Sequence, residues 1–147
     1  MPDLNKLYRQ YHDHAAFYVV YIQEAHPIDA WQMESNVKEK ILVASPRTNE
    51  ERIGVAGTCV RNLGIEFPAL VDGTDDMVER AYTAWPDRLY VIDTDGRVAF
   101  KSGPGPFGFK PEEAAAVLKR LLPDVPELPP EAQPEPDKPV TDPNSAS

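Results

Sequence analysis

Two side chains that can move protons stand together at the end of a predicted strand. Glu24 and His26 follow an apolar run over residues 16–22, which predicts a buried strand. Because side chains alternate along an extended chain, both point to the same side. Ligands bind at the carboxyl ends of strands in open α/β sheets. A histidine there can exchange a proton with a substrate, and a glutamate beside it can fix its tautomer. The alternative is a solvated histidine in a turn that Pro27 ends.

The segments around these two residues alternate between helix and strand. Thr48 and Glu51 have the spacing of a capping box, and Gly64 is placed to end that helix. The turn at residues 93–96 predicts a β-hairpin, and Pro111 opens a last helix. The patterns predict helices at 3–14, 49–63, 75–82 and 111–122, and strands at 16–22, 41–44, 67–71, 89–92 and 98–101. This order predicts one α/β domain over residues 1–122.

A change of composition follows that domain. Residues 123–147 contain eight prolines, six acidic residues and one lysine. Such a segment has too little apolar surface to offset the entropy lost on ordering. We therefore expect an acidic, proline-rich disordered tail.

Composition excludes several classes of function. The net charge is −9 and basic residues do not cluster, which argues against nucleic-acid binding. No apolar stretch approaches the roughly 20 residues of a membrane-spanning helix, and the chain as written begins without a signal peptide, so we expect a cytoplasmic protein. His12 and His14 lack a visible third ligand, so no metal site is predicted. Cys59 is the one cysteine; we expect a buried structural thiol, with a resolving cysteine as the alternative.

Three segments resemble the iodothyronine deiodinase-like family of the thioredoxin-like superfamily. Residues 21–31, YIQEAHPIDAW, resemble the family segment YIxEAHxxDGW. Residues 86–90, PDRLY, resemble PERLY, and residues 102–106, SGPGP, resemble the glycine-rich turn GGxGP. The resemblance covers residues 4–122. It implies a thioredoxin-like fold, a mixed sheet with flanking helices, in which Pro86 is a cis proline beside an edge that pairs with substrate.

The resemblance also implies an activity, that of a selenol or thiol oxidoreductase. Glu24 and His26 hold the family's catalytic positions for proton transfer. An external thiol such as thioredoxin or glutathione would be the reductant, with no bound cofactor. The positions expected to contact substrate are Trp31, Trp85, Pro86 and Arg88.

The family's nucleophile has no counterpart in these segments. Members carry selenocysteine or cysteine after a first strand, at the start of the first helix, where the helix dipole favours the anion. Here the first helix begins near Leu4, so the resemblance places both that strand and the nucleophile upstream of Met1. We therefore expect an inactive or weakly active chain that lacks its first strand and self-associates, as a dimer or otherwise, through exposed sheet edges. A non-catalytic redoxin-like binding module and a peroxiredoxin-like thiol peroxidase are the alternatives.

Two departures concern the hormone substrate of the family. The stretch at residues 45–48 lacks the second histidine that deiodinases carry, and Pro104 replaces the arginine of the glycine-rich turn. Both positions help to hold the iodothyronine in the family. The sequence therefore predicts thiol redox or peroxide chemistry in preference to deiodination of hormone.

Overall fold

The computed structural model describes residues 2–24 and 46–129. The helices are α1 (Pro2–Tyr11), α2 (Asn49–Asn62), α3 (Met77–Tyr82) and α4 (Pro111–Leu121). The strands are β1 (Val19–Tyr21), β2 (Ala69–Val71), β3 (Tyr90–Ile92) and β4 (Val98–Lys101). This mixture of helices and strands confirms the α/β class. The predicted strand at 41–44, the side chains of His26 and Trp31, and tail residues 130–147 lie outside the described residues.

The described strands form two small sheets. β1 pairs with β2 in parallel, with Val20 opposite Leu70. β3 pairs with β4 antiparallel, around a turn in which Gly96 has a φ of +77°. No hydrogen-bonded ladder joins the two sheets within these residues. The single mixed sheet of a thioredoxin-like fold therefore stays a prediction.

One apolar core lies between α1, α4 and one face of the strands. Leu4, Leu7 and Tyr11 of α1 pack with Leu118 of α4 and with Val91 of β3. The rings of Tyr8, Phe17 and Phe67 extend this core, with centroids 5.6–6.0 Å apart. Helix α1 therefore packs against the core through one apolar face.

The opposite face of β1 and β2 is more open than the sequence predicts. Val19 packs against the core, whereas Val20 is 36% exposed and Leu70 is 51% exposed. The prediction of a buried strand is wrong for β1, whose residues are half-buried or exposed in the described structure. A continuous apolar run shows that a segment is hydrophobic, but it does not show which face of the strand a neighbouring element covers.

Several element ends also differ from the prediction, for local reasons. The first helix stops at Tyr11, where the His14 amide bonds back to the Tyr11 carbonyl. α3 begins at Met77 because Asp76 has a φ of +53° and cannot continue a right-handed helix. β2 starts after Pro68, whose carbonyl accepts from the Val19 amide.

Helix α2 begins and ends as predicted. The Thr48 side chain accepts from the Glu51 amide at 3.1 Å, and the Glu51 carboxylate accepts from the Thr48 amide at 3.3 Å. Gly64, just beyond the helix, has a φ of +61°. These two local features define the ends of α2, which contacts β2.

The first residues of the predicted tail contact the helices. Val125 packs against the core, and the Gln10 side-chain amide donates to the Pro126 carbonyl at 3.2 Å. Lys119 and Glu127 form an exposed ion pair, which raises the pKa of the lysine and lowers that of the glutamate. Residues 123–128 therefore cross the groove between α1 and α4.

Candidate active site

A phenol and a carboxylate meet where β1 ends. The Tyr21 hydroxyl donates a hydrogen bond to Glu24 Oε1 at 2.8 Å, and both residues are half-buried. Burial raises the pKa of Tyr21 most, and the hydrogen bond and negative charge of Glu24 raise it further. Cys59 of α2 contributes a smaller rise, and Arg52 opposes it. The Tyr21 hydroxyl therefore keeps its proton and acts as a donor at ordinary pH.

The parallel pairing brings the end of β2 to the same place. The Asp72 amide donates to the Tyr21 carbonyl at 2.8 Å. The buried Asp72 carboxylate accepts from the amides of Val78 and Glu79 at 3.1 and 2.9 Å. Asp72 thus fixes the start of α3 at the carboxyl end of β2.

Arg52 is buried in α2 and faces this junction. Its Nη1 donates to the Gly73 carbonyl and to Asp76 Oδ1, at 2.5 and 2.8 Å. Its Nε atom is buried and has no hydrogen-bond partner in the described part of the chain. The guanidinium therefore ties α2 to the loop between β2 and α3.

A second group of predicted residues lies just before β3. The Trp85–Pro86 peptide bond is cis, as predicted. The Trp85 side chain is 47% exposed. Arg88 donates to the carbonyls of Thr83 and Ser102, so its guanidinium joins the end of α3 to the glycine-rich turn. Its predicted role in substrate binding stays a prediction.

The two groups occupy separate sheets. Glu24 lies at the end of β1, whereas Trp85, Pro86 and Arg88 lead into β3. Within the described residues, no hydrogen bond or ion pair joins Glu24 to the second group. His26 and Trp31 lie outside the described residues.

Two of these residues, Tyr21 and Arg52, are not predicted from the sequence. The apolar run around Tyr21 indicates a core residue. Its position three residues before Glu24, at the end of a predicted strand, is the signal that could have placed it in the site. The sequence around Arg52 indicates a surface arginine, because its hydrogen-bond partners lie 20 to 24 positions further along the chain.

Comparison with known proteins shows the family to which residues 1–122 are similar. The family model for iodothyronine deiodinase matches residues 1–122. The type I iodothyronine deiodinase of Xenopus laevis is 30% identical over 120 residues, which are 82% of this chain and 45% of that protein. The thyroxine 5-deiodinase of Sparus aurata is 37% identical over 107 residues, 71% of this chain and 37% of that protein. The human thyroxine 5-deiodinase is 31% identical over 121 residues, 82% of this chain and 38% of that protein.

The chain therefore belongs to the iodothyronine deiodinase family. It spans less than half the length of these curated relatives.

The family assignment corrects the expected location. The prediction of a cytoplasmic protein is wrong, because the deiodinases that the chain matches are membrane proteins. Among the described helices, none is long and apolar enough to cross a bilayer. The lack of an apolar span in a sequence does not by itself determine where the protein is located.

Proposed function

We propose that this chain carries the proton-handling and substrate-binding parts of a deiodinase-like oxidoreductase that works through a selenol or thiol. One observation carries the proposal. The Tyr21–Glu24 pair lies at the carboxyl end of a parallel strand, inside the segment by which the chain resembles the family. Polar groups at that edge of a sheet are placed to meet a ligand.

The matching relatives are named deiodinases, which favours deiodination over the peroxide chemistry predicted from the sequence, so the proposed overall reaction is the reduction of an aryl carbon–iodine bond by two thiols. The aryl carbon gains a hydrogen, iodide leaves together with one proton, and the two sulfurs join as a disulfide. The carbon is reduced and the thiols are oxidised, so electrons balance without a bound cofactor. Thioredoxin or glutathione would supply the thiols.

Each named residue has a part in this proposal. Glu24 and His26 deliver the proton that the aryl carbon receives, and Tyr21 positions the Glu24 carboxylate through the 2.8 Å hydrogen bond. The substrate is bound by Trp85, Pro86, Arg88 and Trp31. The nucleophile is a selenol or thiol other than Cys59, whose half-buried side chain lies within α2.

The test of this proposal is thiol-dependent iodide release from thyroxine. It is measured on the product of the reading frame that encodes this chain. Glu24→Gln should lower kcat/KM by about tenfold to a hundredfold and change the pH profile, because it removes a group that exchanges protons. Glu66→Gln is the matched control, since Glu66 is an exposed glutamate paired with Arg9. Equal activity of the wild type and Glu24→Gln would contradict the proposal.

A peroxiredoxin-like thiol peroxidase is the second candidate. Pro104 favours it, because the family places an arginine that holds the iodothyronine at this position. Two thiols would then reduce a hydroperoxide to an alcohol and water and would form a disulfide. Peroxide consumption without iodide release would select this reaction. If the chain shows neither activity and melts cooperatively as a monomer, the non-catalytic binding module is favoured.

The 147-residue chain itself should turn over weakly or not at all. Iodide release by this chain that disappears in Cys59→Ser would identify Cys59 as the nucleophile instead.

A further inference from the structure

A short strap, residues 123–128, covers part of the groove between α1 and α4. The strap begins immediately after residues 1–122, which the family model matches. Beside it the groove keeps an open volume of about 510 Å³, so the strap fills the groove only in part. The helices line this volume with apolar side chains, those of Leu7, Tyr11, Ala115 and Ala116, and with polar ones, among them Lys6, Gln10 and Lys119.

The strap contacts the groove through its backbone as well as its side chains. Val125 packs against the core. The Pro126 carbonyl accepts from the Gln10 side-chain amide at 3.2 Å. Leu128 lines the open volume. Prolines 126 and 129 disfavour a helix here, and residues 126–129 belong to no helix or strand. The strap therefore occupies the groove as a bound peptide would, with a backbone hydrogen bond between two apolar contacts.

The groove also favours an acidic residue at one position of the strap. Lys119 of α4 pairs with Glu127, and its hydrogen bond and charge lower the pKa of that carboxyl. The charge of Lys6 on α1 lowers this pKa further. Each helix thus contributes one lysine whose charge complements the acid, although the chain as a whole has a net charge of −9.

These contacts hold the strap weakly. Val125 is half-buried, and Leu128 is 36% exposed. The Lys119–Glu127 pair is exposed, and exposed ion pairs contribute little to stability. Segments with few buried contacts open locally without unfolding the rest of the protein. A peptide that offers the same groups can therefore compete with the strap for the groove.

From these contacts we propose that the α1–α4 groove is a peptide-binding site that the strap covers in the free protein. Its ligand is a proline-containing acidic segment of a partner protein. The strap defines the order of groups in that ligand: an apolar residue, proline, an acid and a second apolar residue. The inference does not depend on the proposed function, because the groove shares no residue with the Tyr21–Glu24 pair.

A fluorescein-labelled peptide with the sequence of residues 123–129, PDVPELP, tests the proposal on the 147-residue chain by fluorescence anisotropy. Since the strap competes with this peptide, weakening the strap should strengthen peptide binding. Val125→Asp should lower the apparent Kd about fivefold or more, because it removes the apolar contact of the strap. Ile53→Asp is the matched control and should leave the Kd unchanged, since Ile53 is 57% exposed on α2 and does not line the groove.

A second strap variant avoids the core. Glu127→Lys should lower the apparent Kd about threefold, because a cation then replaces the acid beside Lys119. Since Glu127 is exposed, urea unfolding should show the same midpoint for this variant and the wild type. Glu127→Lys therefore decides the question if Val125→Asp does not fold.

Gln10 shows whether the peptide binds in the groove. Gln10→Ala removes the donor to the backbone carbonyl of the bound segment. Added to Glu127→Lys, it should raise the apparent Kd about threefold relative to Glu127→Lys alone. A labelled peptide with the same residues in scrambled order should bind about tenfold more weakly or not at all, because its apolar and acidic groups no longer match the groove.

The outcomes decide the proposal as follows. Tighter binding of the peptide by the folded strap variants, lost with the scrambled peptide, supports it. An equal apparent Kd for the wild type and every folded strap variant overturns the cover, and no binding by any of them overturns the peptide site. Self-association in sedimentation velocity that Glu127→Lys abolishes would assign the groove to the strap of a second copy and would also overturn the proposal.

Discussion

The Tyr21 hydroxyl donates to Glu24 Oε1 across 2.8 Å, so a protonated phenol and a carboxylate share one hydrogen bond at the end of β1. Because burial and the Glu24 charge both raise the pKa of Tyr21, the proton stays on the phenol. This arrangement fixes the orientation of the Glu24 carboxylate through Oε1.

Titration of the tyrosines should identify Tyr21 as the phenol that resists ionisation. The chain has six tyrosines. Up to about pH 11, Tyr21→Phe should leave the ultraviolet phenolate signal of the folded protein unchanged, because Tyr21 stays protonated there. A phenolate signal that falls in the Tyr21→Phe variant over this pH range would contradict the assignment.

The same shift predicts how stability depends on pH. The folded pKa of Tyr21 lies above the unfolded value of about 10, so the folded state holds this proton more tightly. The stabilisation is therefore fully present below about pH 10 and is lost as pH rises toward the folded pKa. The difference in unfolding free energy between wild type and Tyr21→Phe should shrink above about pH 10 in urea titrations. A difference in unfolding free energy that grows with pH would contradict the predicted direction.

Sequence alone predicted the parts of the fold that depend on local chemistry. The Thr48–Glu51 capping box, Gly64 beyond α2 and the turn around Gly96 are determined by residues within a few positions of one another. The cis Pro86 was predicted from the family resemblance.

The remaining features depend on contacts between distant residues. The exposure of Val20 depends on what covers a sheet face, and the role of Arg52 depends on residues in the β2–α3 loop. Neither relationship leaves a periodic signal in the sequence. The site was therefore only partly predictable: Glu24 was identified from its place at a strand end, whereas its partner Tyr21 was not.

Arg52 should be the most sensitive single position in α2. Its side chain is 5% exposed and pairs with Asp76 at 2.8 Å, so Arg52→Met leaves a carboxylate and a carbonyl without their donor. Removing one partner of a buried ion pair costs roughly 3 kcal/mol or more. Urea unfolding should show this loss, whereas Arg61→Met, on the exposed surface of the same helix, should change stability by less than about 1 kcal/mol. Similar losses of stability in both variants would contradict a stabilising role for the buried Arg52–Asp76 ion pair.

Two glycines should respond to alanine in opposite directions. Gly54 lies within α2 with nothing near its added Cβ, so Gly54→Ala should stabilise the protein by up to about 1 kcal/mol. Gly108→Ala places a Cβ 2.5 Å from backbone atoms of Gly103, so the turn must open and stability should fall. Thermal unfolding of both variants measures the contrast. A Gly108→Ala variant as stable as wild type would show that the turn is not tightly closed.

The open edges of β1 and β3 should drive self-association. Each of these strands has one hydrogen-bonded neighbour in the described structure, so its other edge offers backbone donors and acceptors to a second copy. Sedimentation velocity should show association that increases with protein concentration. Val20→Lys should reduce it, because a charged side chain on a strand with an open edge discourages pairing. Ile53→Lys is the control, since Ile53 is 57% exposed on α2 and lies outside the strands. A monomer at every concentration, or equal effects of the two lysines, would show that these edges do not mediate contact between copies.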